Sequence, residues 1–280
     1  MTASGGPVAI VAGSGQLPLL LADSLRRDGR DHRVLAFRGF AERALRGRAD
    51  AVVDLLDVRR ALACLEGWSP SAVVLAGGVH RPAPAAFLGA LSAYRNRKEI
   101  AEVIGRGDDQ LLRAGLRFLE ERGFRVLGIH DVAPELLARP GRHSAAAPGA
   151  EQARAVEIGL KVLADLSPYD MGQAAVVSGE RVIALEGPEG TDRMLARVRG
   201  FNRFWSMTRV KPGGVLVKTV KHGQDLRVDL PAIGPRTVTE AHGAGLSGIA
   251  VGSGGTLILD FERTVAAADR LGLFLIGVAP

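Results

Sequence analysis

Three cations and two carboxylates fall within the 17 residues of Lys218-Thr-Val-Lys-His-Gly-Gln-Asp-Leu-Arg-Val-Asp-Leu-Pro-Ala-Ile-Gly234, namely Lys218, Lys221 and Arg227 beside Asp225 and Asp229. Lysine neutralises phosphate charge, and aspartate holds a hard divalent cation, so the mixture suits a phosphate substrate with a metal. The run stops at Leu230-Pro231, where proline removes a backbone donor and forces the residue before it into extended geometry. Ahead of it, Gly214-Val-Leu-Val-Lys218 reads as a buried strand, so the charges stand where a strand leaves the core. A solvated surface loop has the same composition, and spacing alone leaves both readings open.

Three further segments combine turn residues with groups that can meet an anion. Ile10-Val-Ala-Gly-Ser-Gly-Gln-Leu-Pro-Leu19 is a strand running through Gly13, Ser14, Gly15 and Gln16 into a helix whose first turn carries Pro18. Free N–H groups in such a turn, at a positive helix end, would welcome phosphate. A turn that only packs strand to helix has the same look. The dinucleotide fingerprint is incomplete: Pro18 occupies the third glycine position, and the second strand ends Ala36-Phe37-Arg38 with no acid to hold a ribose. A nicotinamide or flavin cofactor is therefore not expected. Ala76-Gly77-Gly-Val-His-Arg-Pro82 follows another strand and should lie on the same rim, with His80 and Arg81 in reach of phosphate. Glu186-Gly-Pro-Glu-Gly190-Thr191-Asp192 sets three carboxylates and a hydroxyl ahead of a helix, where they either cap it or cradle a ligand.

The composition narrows the classes. A net charge of +6 and a pI near 10.1 favour anionic partners. The basic residues are scattered, and aromatics are scarce at 5%, which argues against a stacking platform for single-stranded nucleic acid. A phosphorylated substrate or an anionic membrane surface is the better expectation. No P-loop, His-Glu-x-x-His, paired Cys-x-x-Cys or Gly-x-Ser-x-Gly occurs, so P-loop hydrolysis, a zinc centre and a serine elbow are not expected. The single cysteine, Cys64, sits in an apolar helical stretch and reads as packing. No secretory leader or bilayer-length apolar run is seen, which predicts a cytoplasmic protein, at most peripheral to a membrane.

The elements that must position these residues fall into two halves. Val8–Ala12, Arg33–Phe37, Ala51–Leu55, Ala72–Ala76 and Arg125–Gly128 read as buried strands, alternating with helices at Leu17–Arg27, Val58–Glu66 and Asp108–Arg122. That alternation predicts an α/β fold, with a Rossmann-like parallel sheet over residues 1–133 and its ligands beyond the carboxyl ends of the strands. Residues 134–150, rich in proline and small side chains, read as a linker. Residues 151–280 read as a mixed α/β catalytic domain. It opens on a helix and contains a hairpin of Gln173–Val177 with Arg181–Glu186. Further strands are expected at Gly214–Val217, Gly248–Val251 and Thr256–Asp260, with helices near Thr191–Arg199, Thr237–Ala244 and Phe261–Leu271.

The motifs, taken in order, resemble the LpxI-type UDP-2,3-diacylglucosamine pyrophosphatases of lipid A biosynthesis. The resemblance runs through Ala12-Gly-Ser-Gly-Gln-Leu-Pro18, Ala76-Gly-Gly-Val-His-Arg-Pro82, Gly107-Asp-Asp-Gln-Leu-Leu-Arg113 and Asp170-Met-Gly-Gln-Ala-Ala-Val-Val177. It continues in Glu189-Gly-Thr-Asp-Arg-Met-Leu195, Gln224-Asp-Leu-Arg-Val-Asp-Leu-Pro-Ala-Ile-Gly234 and Leu271-Gly-Leu-Phe-Leu-Ile-Gly277. It implies magnesium-dependent hydrolysis of the UDP-sugar pyrophosphate to UMP and 2,3-diacylglucosamine 1-phosphate (lipid X), with water attacking the sugar-side phosphorus. It also implies two domains with the lipid held between them and Asp229 as the essential carboxylate and leading metal ligand. Glu186, Glu189, Asp192 and Asp225 stay open as further ligands. Lys218 and Lys221 are expected to neutralise the diphosphate, and Gln173, Gln224 and Thr191 to contact substrate, with Gly13–Gln16 and Gly77 contributing from the first domain. A non-catalytic nucleotide-sugar or lipid-phosphate binding protein would use the same residues.

Overall fold

The computed structural model describes residues 5–79, 108–169, 171–205, 213–221, 223–227 and 230–279. They form two compact units, one of residues 1–133 with Asp225–Asp229 and one of residues 134–224 with 230–280.

In the first unit, β1 (Val8–Ala12), β2 (His32–Phe37), β3 (Ala51–Val53), β4 (Ala72–Ala76) and β5 (Val126–Leu127) form one sheet in the order β3-β2-β1-β4-β5. Every pairing is parallel, in register Val8↔His32 on one side of β1 and Val8↔Ala72 on the other. The continuous apolar runs are what such strands require, because helices cover both faces. On one face Leu65 of α3 (Val58–Trp68) and Leu116 and Leu119 of α4 (Asp108–Glu120) pack on Ala9, Leu35, Val53, Val73 and Val126. Leu21 and Leu25 of α1 (Leu17–Arg27) are fully buried, and α1 lies against β1, β2 and β4. Two short helices, α2 (Arg43–Arg46) and α5 (Ile129–Val132), also belong to the described residues of this unit. The chain leaves β1 toward β2 on one side, then returns across to β4 on the other. The loops after β1 and β4 therefore flank the point where strand order reverses, which is where open parallel sheets leave a crevice.

The second unit holds β6 (Gly141–Arg142), α6 (Ala150–Leu166), β7 (Ala174–Ser178), β8 (Arg181–Leu185), α7 (Thr191–Trp205) and β9 (Val215–Lys218). It continues with β10 (Ala232–Ile233), α8 (Pro235–Gly243), β11 (Gly248–Gly252), β12 (Leu257–Ile258), α9 (Phe261–Leu271) and β13 (Phe274–Val278). Its main sheet runs β6-β13-β11-β9-β7-β8, parallel through β13, β11 and β9 and antiparallel at both edges. The α/β class expected from the alternation of elements holds for both units.

Period-two alternation divides this sheet between two cores. Ala175, Val177, Val215 and Val217 face α6 through Ala155, Val156 and Leu163. Ala174, Val176, Leu216, Ile249 and Leu275 face the opposite layer, packed on Met194, Leu195 and Val198 of α7, Val238 and Ala241 of α8, and Ala267 and Ala268 of α9. A fully buried side chain such as Leu216 contributes about 1.5–3 kcal/mol relative to exposure. The stretch 134–150 carries a 3-10 turn at Pro134–Leu136 and β6, whose Arg142 pairs with Ile276 of β13.

Candidate functional site

Each unit presents a polar rim, built in a different way. In the first, the two glycine turns lock against each other. Gly13 donates its N–H to the Ala76 carbonyl (2.9 Å), Ser14 donates N–H and hydroxyl to the Gly78 carbonyl (2.7 and 2.9 Å), and Gly78 donates back to Ser14 (3.1 Å). The fit is close. A Cβ on Gly13 would stand 2.4 Å from the Gly78 oxygen, and one on Gly77, at φ 85°, would stand 2.3 Å from the Ser14 oxygen. The expectation of free N–H groups across Gly13–Gln16 is thus narrowed. Gly13 and Ser14 are engaged with the facing turn, and an anion here would draw on the exposed Gly15, Gln16 and the start of α1.

The first unit also takes in Asp225–Asp229. Arg227 donates to Asp225 through Nε (3.0 Å) and Nη2 (2.8 Å), its main-chain N–H meets the same carboxylate (3.0 Å), and Nη1 donates to Glu120 of α4 (2.6 Å). The Arg227 hydrogen bond holds the Asp225 carboxyl below the usual carboxylate range, against the opposing effect of burial, and Arg113 adds to it. Asp225 and Glu120 in turn raise the Arg227 guanidinium above its ordinary value.

The second unit builds its rim from buried side chains. Ala174 pairs with Lys218 across β7 and β9, and Ala175 with Leu185 across β7 and β8, so Gln173, Glu186 and Lys218 end up side by side. Lys218, Glu186 and Thr191 are all buried, at 8, 9 and 9% exposure. The Lys218 ammonium donates to Thr191 Oγ1 (2.8 Å) and to the Ala232 carbonyl (3.1 Å), and the Thr191 hydroxyl donates to Glu186 Oε1 (2.5 Å). Glu186 Oε2 accepts the Gln173 N–H (2.8 Å). Gln173 Nε2 donates to Gln224 Oε1 (2.9 Å), which also accepts the Lys221 N–H (3.1 Å). The buried ammonium sits in hydrogen bonds to Thr191 and the Ala232 carbonyl, with the Glu186 carboxylate one hydroxyl away. Gly190, at φ 82°, turns the chain into α7 and brings Thr191 to its first position, and Asp192 pairs with Arg236 at the surface (3.2 Å).

The structure thus brings Gln173, Thr191, Lys218, Lys221 and Gln224 together in one unit, with Gly190 and Asp192 adjoining, and Gly13, Ser14, Gly15, Gln16 and Gly77 together in the other. His80, Arg81, Asp170, His222 and Asp229 lie outside the described residues. Glu186 stood open among several acids. Its central place follows from the β7–β9 pairing, which sets Lys218 beside the open end of the β7–β8 hairpin and which no spacing in the sequence reveals.

The carboxylates left open as metal ligands are all engaged by neighbours. Glu186 is held by Thr191 and Gln173, Asp225 by Arg227, Glu189 by Arg197 (2.8 Å) and Asp192 by Arg236. Among the described residues no group of three His, Cys, Asp or Glu side chains is placed to hold a metal ion. Magnesium needs only one or two carboxylates and fills its sphere with water and phosphate oxygens. The half-exposed pairs of Glu189 and Asp192 open at a cost of roughly 0–1 kcal/mol, whereas the buried Glu186 does not.

Fold and rims together define a two-unit α/β protein, one part Rossmann-like with two interlocked glycine turns at its switch point and one part carrying a buried lysine and carboxylate joined by a hydroxyl. Comparison with known proteins is consistent across the chain. Residues 7–136 match the LpxI N-terminal domain and residues 139–276 the LpxI C-terminal domain. A curated relative, the UDP-2,3-diacylglucosamine pyrophosphatase LpxI of Caulobacter vibrioides, is 35% identical over 273 residues, 98% of each chain. The chain belongs to the LpxI family.

Proposed function

We propose that the protein is the UDP-2,3-diacylglucosamine pyrophosphatase of lipid A biosynthesis in its cell, cleaving the substrate to UMP and 2,3-diacylglucosamine 1-phosphate. The observation that carries this reading is the match of both halves, at near-complete coverage, to a relative bearing that name. The second unit's rim supports it chemically, since a lysine-lined, hydrogen-bonded edge suits a diphosphate.

In this proposal Asp229 is the catalytic carboxylate, holding magnesium or aligning the water that attacks the sugar-side phosphorus. Magnesium, when bound, supplies charge neutralisation on the phosphate oxygens. Lys221, half-buried, meets the developing charge directly. Lys218 gives two of its three N–H bonds to Thr191 and Ala232, so at most one is left for substrate. Gln173 and Gln224 set polar contacts for the substrate in the second unit. Tyr169, Met171 and Phe201 are individually exposed apolar side chains of the second unit. Among the described residues no helix is long and apolar enough to cross a membrane.

Hydrolysis in 18O-labelled water tests the reading. Label is expected on the phosphate of the lipid product, and label on UMP would place the attack on the other phosphorus. Asp229→Ala is expected to abolish turnover while substrate still binds, and retained turnover would remove Asp229 from the chemistry. Binding without release by the wild-type protein with magnesium would instead make it a nucleotide-sugar or lipid-phosphate binding protein.

A further inference from the structure

We propose that Glu186 is a positioning residue, whose buried carboxylate sets the place of Lys218, Gln173 and Gln224 for the phosphate-bearing substrate; this rests on the reaction proposed above. Direction in the hydrogen-bond chain makes the argument. An ammonium only donates, so Thr191 Oγ1 must accept from Lys218 and pass its own proton to another acceptor. An ionised carboxylate only accepts, and Glu186 Oε1 is that acceptor. The other oxygen accepts the Gln173 main-chain N–H, which anchors the residue whose side-chain Nε2 donates to Gln224 Oε1, itself the acceptor of the Lys221 main-chain N–H. Two donors face two oxygens. One carboxylate thus receives the hydroxyl that Lys218 holds and anchors the main chain from which Gln173 reaches Gln224.

Glu186 itself is fixed from behind. Its carbonyl accepts the Gly172 N–H (3.0 Å), and its N–H donates to the Ala174 carbonyl (2.8 Å). Gly172 lies so close that a Cβ there would stand 2.3 Å from the Glu186 oxygen. The main chain that carries the carboxylate is therefore fixed at the open end of the β7–β8 hairpin, and the bonds from Thr191 and Gln173 hold the carboxylate itself. A buried lysine and carboxylate bridged by a hydroxyl carry a desolvation cost that apolar packing of the same volume avoids, so holding the fold is not what this array does best.

Glu186→Gln is the sharp probe. An amide offers one oxygen and one NH2 to two donors, so either the Gln173 N–H meets an NH2 or the Thr191 hydroxyl loses the acceptor of its proton. With UDP-2,3-diacylglucosamine and magnesium, kcat is expected to fall about 10- to 100-fold, with KM nearly unchanged, in protein that remains folded by circular dichroism. Thr191→Val should reproduce the loss, Thr191→Ser should restore most of it, and the Glu186→Gln/Thr191→Val pair should be no worse than the poorer single variant. Turnover of Glu186→Gln within about twofold of wild type, losses that multiply in the pair, or a loss matching only the unfolded fraction would overturn the proposal. If the wild-type protein releases no UMP, the reaction fails as a reading, and a second measurement decides on Glu186. The 1H–15N signal of the Lys218 ammonium, assigned by its loss in Lys218→Met, should exchange slowly with water in wild type and rapidly in Glu186→Gln. An unchanged signal would overturn the placement role.

Discussion

The first unit makes its rim from main chain, and the second makes its rim from buried side chains. Around Gly13–Ser14 and Gly77–Gly78 the polar groups are amides and carbonyls, brought into contact because two glycines leave no Cβ in the way. Around Glu186, Thr191 and Lys218 the polar groups are side chains held below 10% exposure, a carboxylate and an ammonium joined by a hydroxyl. A backbone rim is specified by what is absent and fails by steric collision. A side-chain rim is specified by charge balance and fails when one partner is removed.

Gly77→Ala should give the largest effect. A left-handed φ and a Cβ directed at main-chain oxygen combine, at a cost of about 3–5 kcal/mol to the first unit. Urea unfolding followed by Trp68 fluorescence in a Trp205→Phe background checks this, and a change below about 1 kcal/mol would mean the turns are not locked. Next comes Lys218→Met, which strands the Glu186 carboxylate and should cost about 3 kcal/mol, with Lys218→Met/Glu186→Leu recovering most of it. Equal losses in the single and double variants would deny the charge balance on which the contrast depends.

Asp225→Asn gives a smaller, pH-dependent effect. The folded-state pKa of Asp225 is lowered by Arg227, so its contribution is present above the unfolded value of about 3.9 and is lost as pH falls through the lowered one. Wild type should exceed the variant in stability at pH 7, and the gap should close below about pH 4 in denaturant titrations. Ser14→Ala is expected to have the smallest effect, at most about 1 kcal/mol, because the main-chain bonds between the turns remain. A larger loss would show that the first rim also relies on side chains.

Much of the fold was legible beforehand. Val8–Ala12, Ala72–Ala76, Leu17–Arg27 and Phe261–Leu271 end where the apolar runs and the helix signals place them. The β7–β8 hairpin was legible from its short polar turn. Among the described residues, three strands escaped. β6 and β10 are two residues long, too short for any period to register. β13 follows α9 directly, and its run Phe274–Val278 merges with the helix's apolar pattern. Thr191–Arg199 also stopped short, because the helix runs on to Trp205 through a glycine at 200 that periodicity treats as a break.

The site was legible as residue types and not as partners. Lys218, Lys221, Gln173, Gln224 and Thr191 stood out by charge or by motif, and Glu186 was one acid among four. Local spacing, apolar period and glycine placement reside in the order of residues, so they settled the class of fold, the strand-to-rim logic and the family. Which carboxylate compensates the buried lysine, and that Asp225–Asp229 joins the first unit although it follows the second unit's strands, depended on pairings between distant segments. Such pairings are chosen by packing and by the need to satisfy buried charge, forces that act only once the chain has folded.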